Sequence, residues 1–184
     1  MYEIVITNFH GGPFVRYRIG DMIRIISRRN DRLDIDIPQM IFETRCDDVI
    51  DLANFARLTE KTIWLALEES GARYVDWTAR KELEGDQPVL QIYIEPKNGN
   101  PLSEPEIEAL MRDSLKRVDS DYRDLEEMLG LRLLRVSFLP TGSFQRYTAA
   151  RQAEGADPAH LKPPHMRPRD EVITQLKAPV PGNG

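Results

Sequence analysis

Hydrophobic and polar residues alternate along the first part of the chain with a period of two. Ile4 and Ile6 alternate against Val5 and Thr7, and MIRII (22–26) and LDIDI (33–37) continue the pattern, so residues 2–36 read as strands joined by tight turns. Pro38 marks the boundary of this stretch. MIFETR (40–45) and DVIDLANF (48–55) are strand-like as well. The period then switches to 3.6: Thr59 caps a helix that runs through Ser70, with Ile63, Ala66 and Leu67 on one face and Gly71 as its stop. ARYVDWTA (72–79) and PVLQIYIE (88–95) flank a Glu84-Gly85-Asp86 turn and predict an antiparallel pair. Ser103-Glu104-Pro105-Glu106 is a capping box, followed by a buried stripe of Ile107, Leu110, Met111 and Leu115, with Lys116 and Arg117 suiting the negative end of the helix dipole. A shorter helix runs from Ser120 to Leu129 and stops at Gly130. LRLLRVSFLP (131–140) is the last strand, with Leu134, Val136 and Phe138 on one face.

From about residue 48 the order is strand, helix, strand, strand, helix, strand. The expected fold class is therefore α+β, a ferredoxin-like βαββαβ domain over residues 38–157 whose antiparallel sheet lies under two helices. A small all-β segment, 1–37, precedes it. Six of the thirteen prolines fall at or after Pro158, so 158–184 reads as an extended tail that ends in the disordered run APVPGNG.

Composition narrows the class of partner. With 184 residues, 30 % charged and 41 % hydrophobic, the chain has the balance of a folded, water-soluble domain. A net charge of -5 argues against sequence-independent binding to nucleic acid, the basic clusters at Arg28-Arg29 and Arg167 to Arg169 being short. No apolar run has the length of a membrane span, and MYEIVITNF lacks the basic start of a signal peptide. The lone Cys46 cannot make an intramolecular disulfide, so the cytoplasm is the expected compartment. The chain opens directly in a strand, which suggests either a sheet edge or a piece of something longer. His10, His160 and His165 lack metal-site spacing and a triad-like partner, which leaves them surface or packing roles and predicts no metal site.

The stretch GGPFVRYRIGD (11–21) admits two readings. It is a hairpin built on ordinary turn formers, or a strand end that presents Asp21 to both hydroxyls of a ribose. Two later stretches bear on the choice, because all three, in this order, resemble signatures of the adenylate-forming (acyl-activating) ligase superfamily. VRYRIGD resembles its YRTGD-type motif, with Asp21 matching the aspartate that holds the ribose of ATP and Ile19 in place of threonine. TRCDDVIDLANFARLTEKTI resembles the GRxDD segment of phenylacetate-CoA ligases. Arg45 and Asp47 match its arginine and hinge aspartate, and Thr44 stands where glycine is usual. DYRDLEEMLGLRLLRVSFLPTGSFQRY, followed by HLKPPHM, resembles the C-terminal end of auxin-type acyl acid amido synthetases.

The resemblance covers most of residues 1–165 and corresponds only to the C-terminal part of such ligases. It implies that 1–37 is the β-rich end of a large adenylation domain, missing here together with its phosphate loop, and that 38–157 is the C-terminal cap. It implies ATP and Mg²⁺ as cofactors, and a small carboxylic acid with an amine or CoA acceptor as partners.

Each residue carries an alternative. Asp21 is a ribose clamp or a solvated turn aspartate. Tyr17, on the strand face opposite Arg16 and Arg18, is expected to pack in the core, while Arg18 faces a phosphate or decorates an edge. Arg45 steadies the nucleotide or pairs locally with Glu43. Asp47 is a hinge or a hairpin turn residue. Lys162 supplies a catalytic cation for phosphate oxygens or is a surface lysine of the tail. Ser143 follows Gly142 where many of these enzymes carry their lysine. The competing reading is a free-standing ferredoxin-like module that binds a metabolite or partner and catalyses nothing.

Overall fold

The computed structural model describes residues 2–11, 14–158 and 161–179, without the side chains of residues 44 and 47. The chain divides into two compact units, Met1–Val49 and Ile50–Gly184.

The first unit is an antiparallel meander of β1 (Tyr2–Asn8), β2 (Phe14–Ser27) and β3 (Gln39–Arg45), closed by a 3-10 turn over Cys46–Asp48. Pro38 does not end it. A proline tolerates the position before a strand, where no ladder donor is needed, and β3 goes on to pair with β2. Arg18 pairs with Glu3 and Arg24 with Glu43, while Arg29 draws in Asp31 and Asp34 at 2.8 Å each. None of the described residues 2–49 is buried. Tyr17, expected in a core, is 52 % exposed and sets its ring 5.4 Å from Phe14. The reason is architectural: a sheet buries a face only against a second layer, and this unit contains none.

In the second unit, β4 (Val49–Leu52) and β5 (Ala56–Thr59) form a two-stranded ribbon. The strand expected to run through Phe55 ends at Leu52, because Ala53 and Asn54 take φ of 55° and 57° and the Asn54 N–H donates to Asp51 Oδ1 at 2.7 Å. Next come α1 (Glu60–Glu69), β6 (Tyr74–Glu84), β7 (Gln87–Pro96), α2 (Glu104–Val118), α3 (Ser120–Leu129), β8 (Leu134–Phe138), α4 (Ser143–Ala153) and α5 (Asp170–Lys177). The mixed α+β class matches the expectation, while an added strand, β5, and the helices α4 and α5 extend the expected βαββαβ order. The pairing departs from the ferredoxin-like sheet, since β4 pairs with β5 and the main sheet runs β6-β7-β8, with β8 parallel to β7. The parallel partner follows from the crossover through α2 and α3.

Val89 to Glu95 of β7 are all buried. Leu90, Ile92 and Ile94 join a core with Ile63 and Leu67 of α1, Ile107, Met111 and Leu115 of α2, and Leu125 of α3. Tyr93, of opposite parity, joins Phe144 and Tyr147 of α4 and Ile173 and Leu176 of α5. Alternate side chains of a strand point to opposite faces, so helices cover the sheet on both sides. Sequence pattern had predicted one helical side only. The tail over 158–184 is correspondingly not extended throughout: α5 forms after Pro168, where a proline suits a helix entry, and the final five residues lie outside the described ones.

Glu95, 2 % exposed, substitutes for the capping side chain that α4 lacks, accepting the N–H groups of Gly142 at 2.6 Å and Phe144 at 3.0 Å. At the start of α2 the Glu106 carboxylate accepts the Ser103 N–H at 2.8 Å, as the capping box predicts. Leu110 is 43 % exposed, and Ser114 takes its expected place in the buried stripe, donating to Glu69. Gly130 ends α3 at φ 65°, a left-handed conformation that side chains with a Cβ resist. Among the described residues no helix is long and apolar enough to cross a membrane.

Leu115 is fully buried, so Leu115→Ala is expected to cost the second unit about 2–5 kcal/mol by leaving a cavity. Gly130→Ala is expected to cost about 1 kcal/mol through its backbone alone. Urea unfolding followed by circular dichroism checks both, and equal losses would contradict the assignment of burial to one and backbone to the other.

Candidate functional site

The first cluster lies on β2 and β3. Asp21 stands opposite Arg45 in the ladder, and Arg45 Nη1 approaches Asp21 Oδ1 at 3.3 Å while Nη2 donates to the Ile19 carbonyl at 3.4 Å. Gly20, between Ile19 and Asp21, takes a φ of 84°, a left-handed conformation that side chains with a Cβ resist. A Cβ there would lie 3.4 Å from Arg45 Nη2, an ordinary contact, so it is the backbone that calls for glycine. The Asp21 side chain is 28 % exposed, and its second oxygen makes no hydrogen bond among the described residues. An aspartate oriented from one side by an arginine keeps acceptor capacity on its other oxygen for a ligand.

Arg18 is not brought to this pair. Its Nε donates to Glu3 at 2.9 and 3.0 Å, and that hydrogen bond, helped by the charge, holds Glu3 below its usual carboxylate range. Glu43, the expected local partner of Arg45, is taken by Arg24. The backbone at Asp47 forms the middle of the 3-10 turn just before the boundary between the two units, and its side chain lies outside what the structure describes.

The second cluster lies in the second unit, where residues 161–169 run along the free edge of β6. The Ala79 N–H donates to the His165 carbonyl at 2.7 Å, the Arg167 N–H to the Ala79 carbonyl at 2.8 Å, and Thr78 Oγ1 to the Pro164 carbonyl at 2.7 Å. Met166, 4 % exposed, is sunk into the core. Lys162 lines an open cleft of about 450 Å³ with Asp76, Phe144, Thr148 and Pro163. Lys162 is exposed and makes no ion pair among the described residues. Next to it, His165 stacks on Trp77 with ring centres 4.8 Å apart and planes 18° from parallel. Its Nδ1 sits 2.6 Å from Glu60 Oε1 and its Nε2 2.8 Å from Asp76 Oδ1.

The hydrogen bond to Asp76 outweighs burial and, with the bond to Glu60, holds the His165 pKa above the ordinary 6.5. Burial by itself would raise Asp76, but the bonds from His165 and the Trp77 N–H, with the charge of Lys162 nearby, hold it below the ordinary 3.8. His165, expected in a surface or packing role, thus sits between two carboxylates. Its partners stand 105 and 89 residues away, and no local pattern signals them. His10 is exposed, with its N–H donated to Asn8, and His160 lies outside the described residues. Among the described residues no group of three or more metal-binding side chains is placed to hold an ion.

A family model described as the GH3 family C-terminal domain matches residues 57–171. No curated protein matches the sequence. Among solved structures, the chain is similar to one described as AtGH3.15 acyl acid amido synthetase in complex with 2,4-DB, with a TM-score of 0.61 at 18 % identity. It is also similar to one described as GH3.15 acyl acid amido synthetase, with a TM-score of 0.65 at 20 % identity. Each comparison covers 96 % of this chain and 32 % of the solved one, so the chain spans about a third of their length. The chain belongs to the GH3 family, whose C-terminal domain it carries.

Proposed function

We propose that this chain is the C-terminal part of an ATP-dependent ligase that activates a small carboxylic acid as its acyl-adenylate and passes the acyl group to an acceptor. The observation that carries the reading is the Asp21–Arg45 pair beside Gly20, a carboxylate oriented from one side with an oxygen left open. A ribose diol needs such an acceptor, and each charge-assisted hydrogen bond of this kind contributes roughly 1.5–3 kcal/mol. Arg45 orients Asp21. Arg18, committed to Glu3, is a weaker candidate for a phosphate than the sequence had suggested. Lys162, exposed and on a segment fixed to β6, supplies the cation for phosphate charge that develops during adenylation. The backbone at Asp47 serves as the hinge between half-reactions.

Mg²⁺ enters with the triphosphate, and it is commonly held by one or two carboxylates together with phosphates, so a dedicated cage of protein ligands is not required. The solved relatives are described as acyl acid amido synthetases, which favours an amine over CoA as acceptor. The phosphate loop is supplied by an adenylation domain. The uncovered apolar side chains of the first unit, among them Val15 at 62 % and Phe42 at 62 % exposed, suit a sheet that continues into such a domain.

The chain by itself is expected to give no acid-dependent ATP–pyrophosphate exchange. Substituted for the C-terminal third of a GH3 amido synthetase, it is expected to support that exchange. Strong exchange by the chain alone, or none in the hybrid, would overturn the reading and leave a non-catalytic binding module.

In the hybrid, Lys162→Ala is expected to slow exchange by about 10²-fold, and Asp21→Ala to raise the KM for ATP by about tenfold or more, with circular dichroism unchanged. Unaltered ATP kinetics would remove the residue concerned from the site.

A further inference from the structure

The segment that carries Lys162 is held by an interaction that requires a charged imidazole. A neutral histidine has one N–H and one bare nitrogen, so it can donate to only one carboxylate. His165 faces a carboxylate oxygen at each ring nitrogen, Glu60 of α1 at 2.6 Å and Asp76 of β6 at 2.8 Å. Both contacts are hydrogen bonds only when both nitrogens carry protons. In the neutral form a nitrogen lone pair would meet a carboxylate oxygen at the same distance. The flat stack on Trp77 also suits a cation over an indole face. The charged groups facing His165 are Glu60 and Asp76, and Lys162 of its own segment acts on Asp76.

Two prolines lie between Lys162 and His165, each with φ fixed by its ring, and Pro163 is buried. The backbone between the two residues is therefore stiff, and anchoring His165 sets where Lys162 begins. We propose that His165 is a positioning residue for Lys162: as an imidazolium clamped between Glu60 and Asp76 it latches residues 161–167 to β6, and its deprotonation releases them. The catalytic consequence rests on the proposed role of Lys162, whereas the latch itself does not.

The sign follows from the two shifts. His165 is raised above 6.5, so its contribution is complete below that pH and is lost as pH rises through its raised value. Asp76 is depressed below 3.8, so its contribution is present above that pH and is lost as pH falls through its depressed value. The latch is closed between these limits and opens on the alkaline side.

Amide hydrogen exchange of the 184-residue chain, resolved by NMR and corrected for the intrinsic pH dependence of exchange, tests this. The probes are the Ala79 and Arg167 N–H groups that bond the segment to β6. Their protection is expected to fall as pH rises from 6 to 9, by about tenfold for each unit by which the His165 value exceeds the ordinary one. Protection in the β6–β7 ladder should stay constant. His165→Gln should be weakly protected at every pH. His165→Arg, which keeps a charge and several donors, should restore protection and abolish its pH dependence. If His165→Gln does not fold, Glu60→Gln is read instead and should lower the midpoint of the fall.

Protection that is flat with pH in the unaltered chain, or a His165→Gln profile like that of the unaltered chain, would overturn the latch. This readout needs no substrate, so its failure leaves the ligase reading standing. Failure of Lys162→Ala to alter exchange of pyrophosphate removes the ligase role while leaving the latch.

Discussion

The second unit is organised by the need to cover β7 on both faces. Seven successive residues of that strand are buried, so neither parity can be left to solvent. One face takes α1, α2 and α3 and the other takes α4 and α5. Burial at this density leaves polar groups no recourse to water, and the strand's own carboxylate meets that constraint. Glu95 turns its two oxygens to the start of α4, so a polar group that burial would otherwise penalise is satisfied and holds the second helical layer in place.

Much of this was legible in the sequence wherever the information was local. The Thr59 cap, the Ser103 box, the Gly130 stop and the turn between β6 and β7 each depend on residues within four positions, and each formed as expected. The misses were non-local. Helix α4 has apolar residues scattered round its circumference and a glycine where a capping side chain is usual, and its cap arrives from Glu95, almost fifty residues earlier. The pairing of β8 beside β7 depends on the route of the crossover, which a list of elements does not contain. Tyr17 was misplaced because alternation predicts two faces and cannot tell whether anything covers them.

The candidate site divides the same way. Motif order brought Asp21 and Arg45 into view, and the ladder joins them as cross-strand partners. Arg18 belonged to the same motif and turned to Glu3, fifteen residues earlier, since an arginine on a strand takes the nearest carboxylate across the ladder. Lys162 was visible as a lysine in a proline-rich run, but the histidine three residues on was not, because its environment is assembled from α1 and β6. A residue whose function is electrostatic is defined by its neighbours, and those are supplied by the fold.

The attachment of residues 165–167 to Ala79 has a further consequence. Strand β6 is an edge of the main sheet, and edges with unpaired N–H and C=O groups are templates for the strands of other molecules. The bridge between Ala79 and Met166 occupies that edge at its middle with a segment that is itself interrupted by prolines at 163, 164 and 168 and cannot extend the ladder. The same few hydrogen bonds that hold a lysine in place therefore also keep the sheet from recruiting a neighbour, and solubility becomes a property of how this segment is held as well as of surface charge.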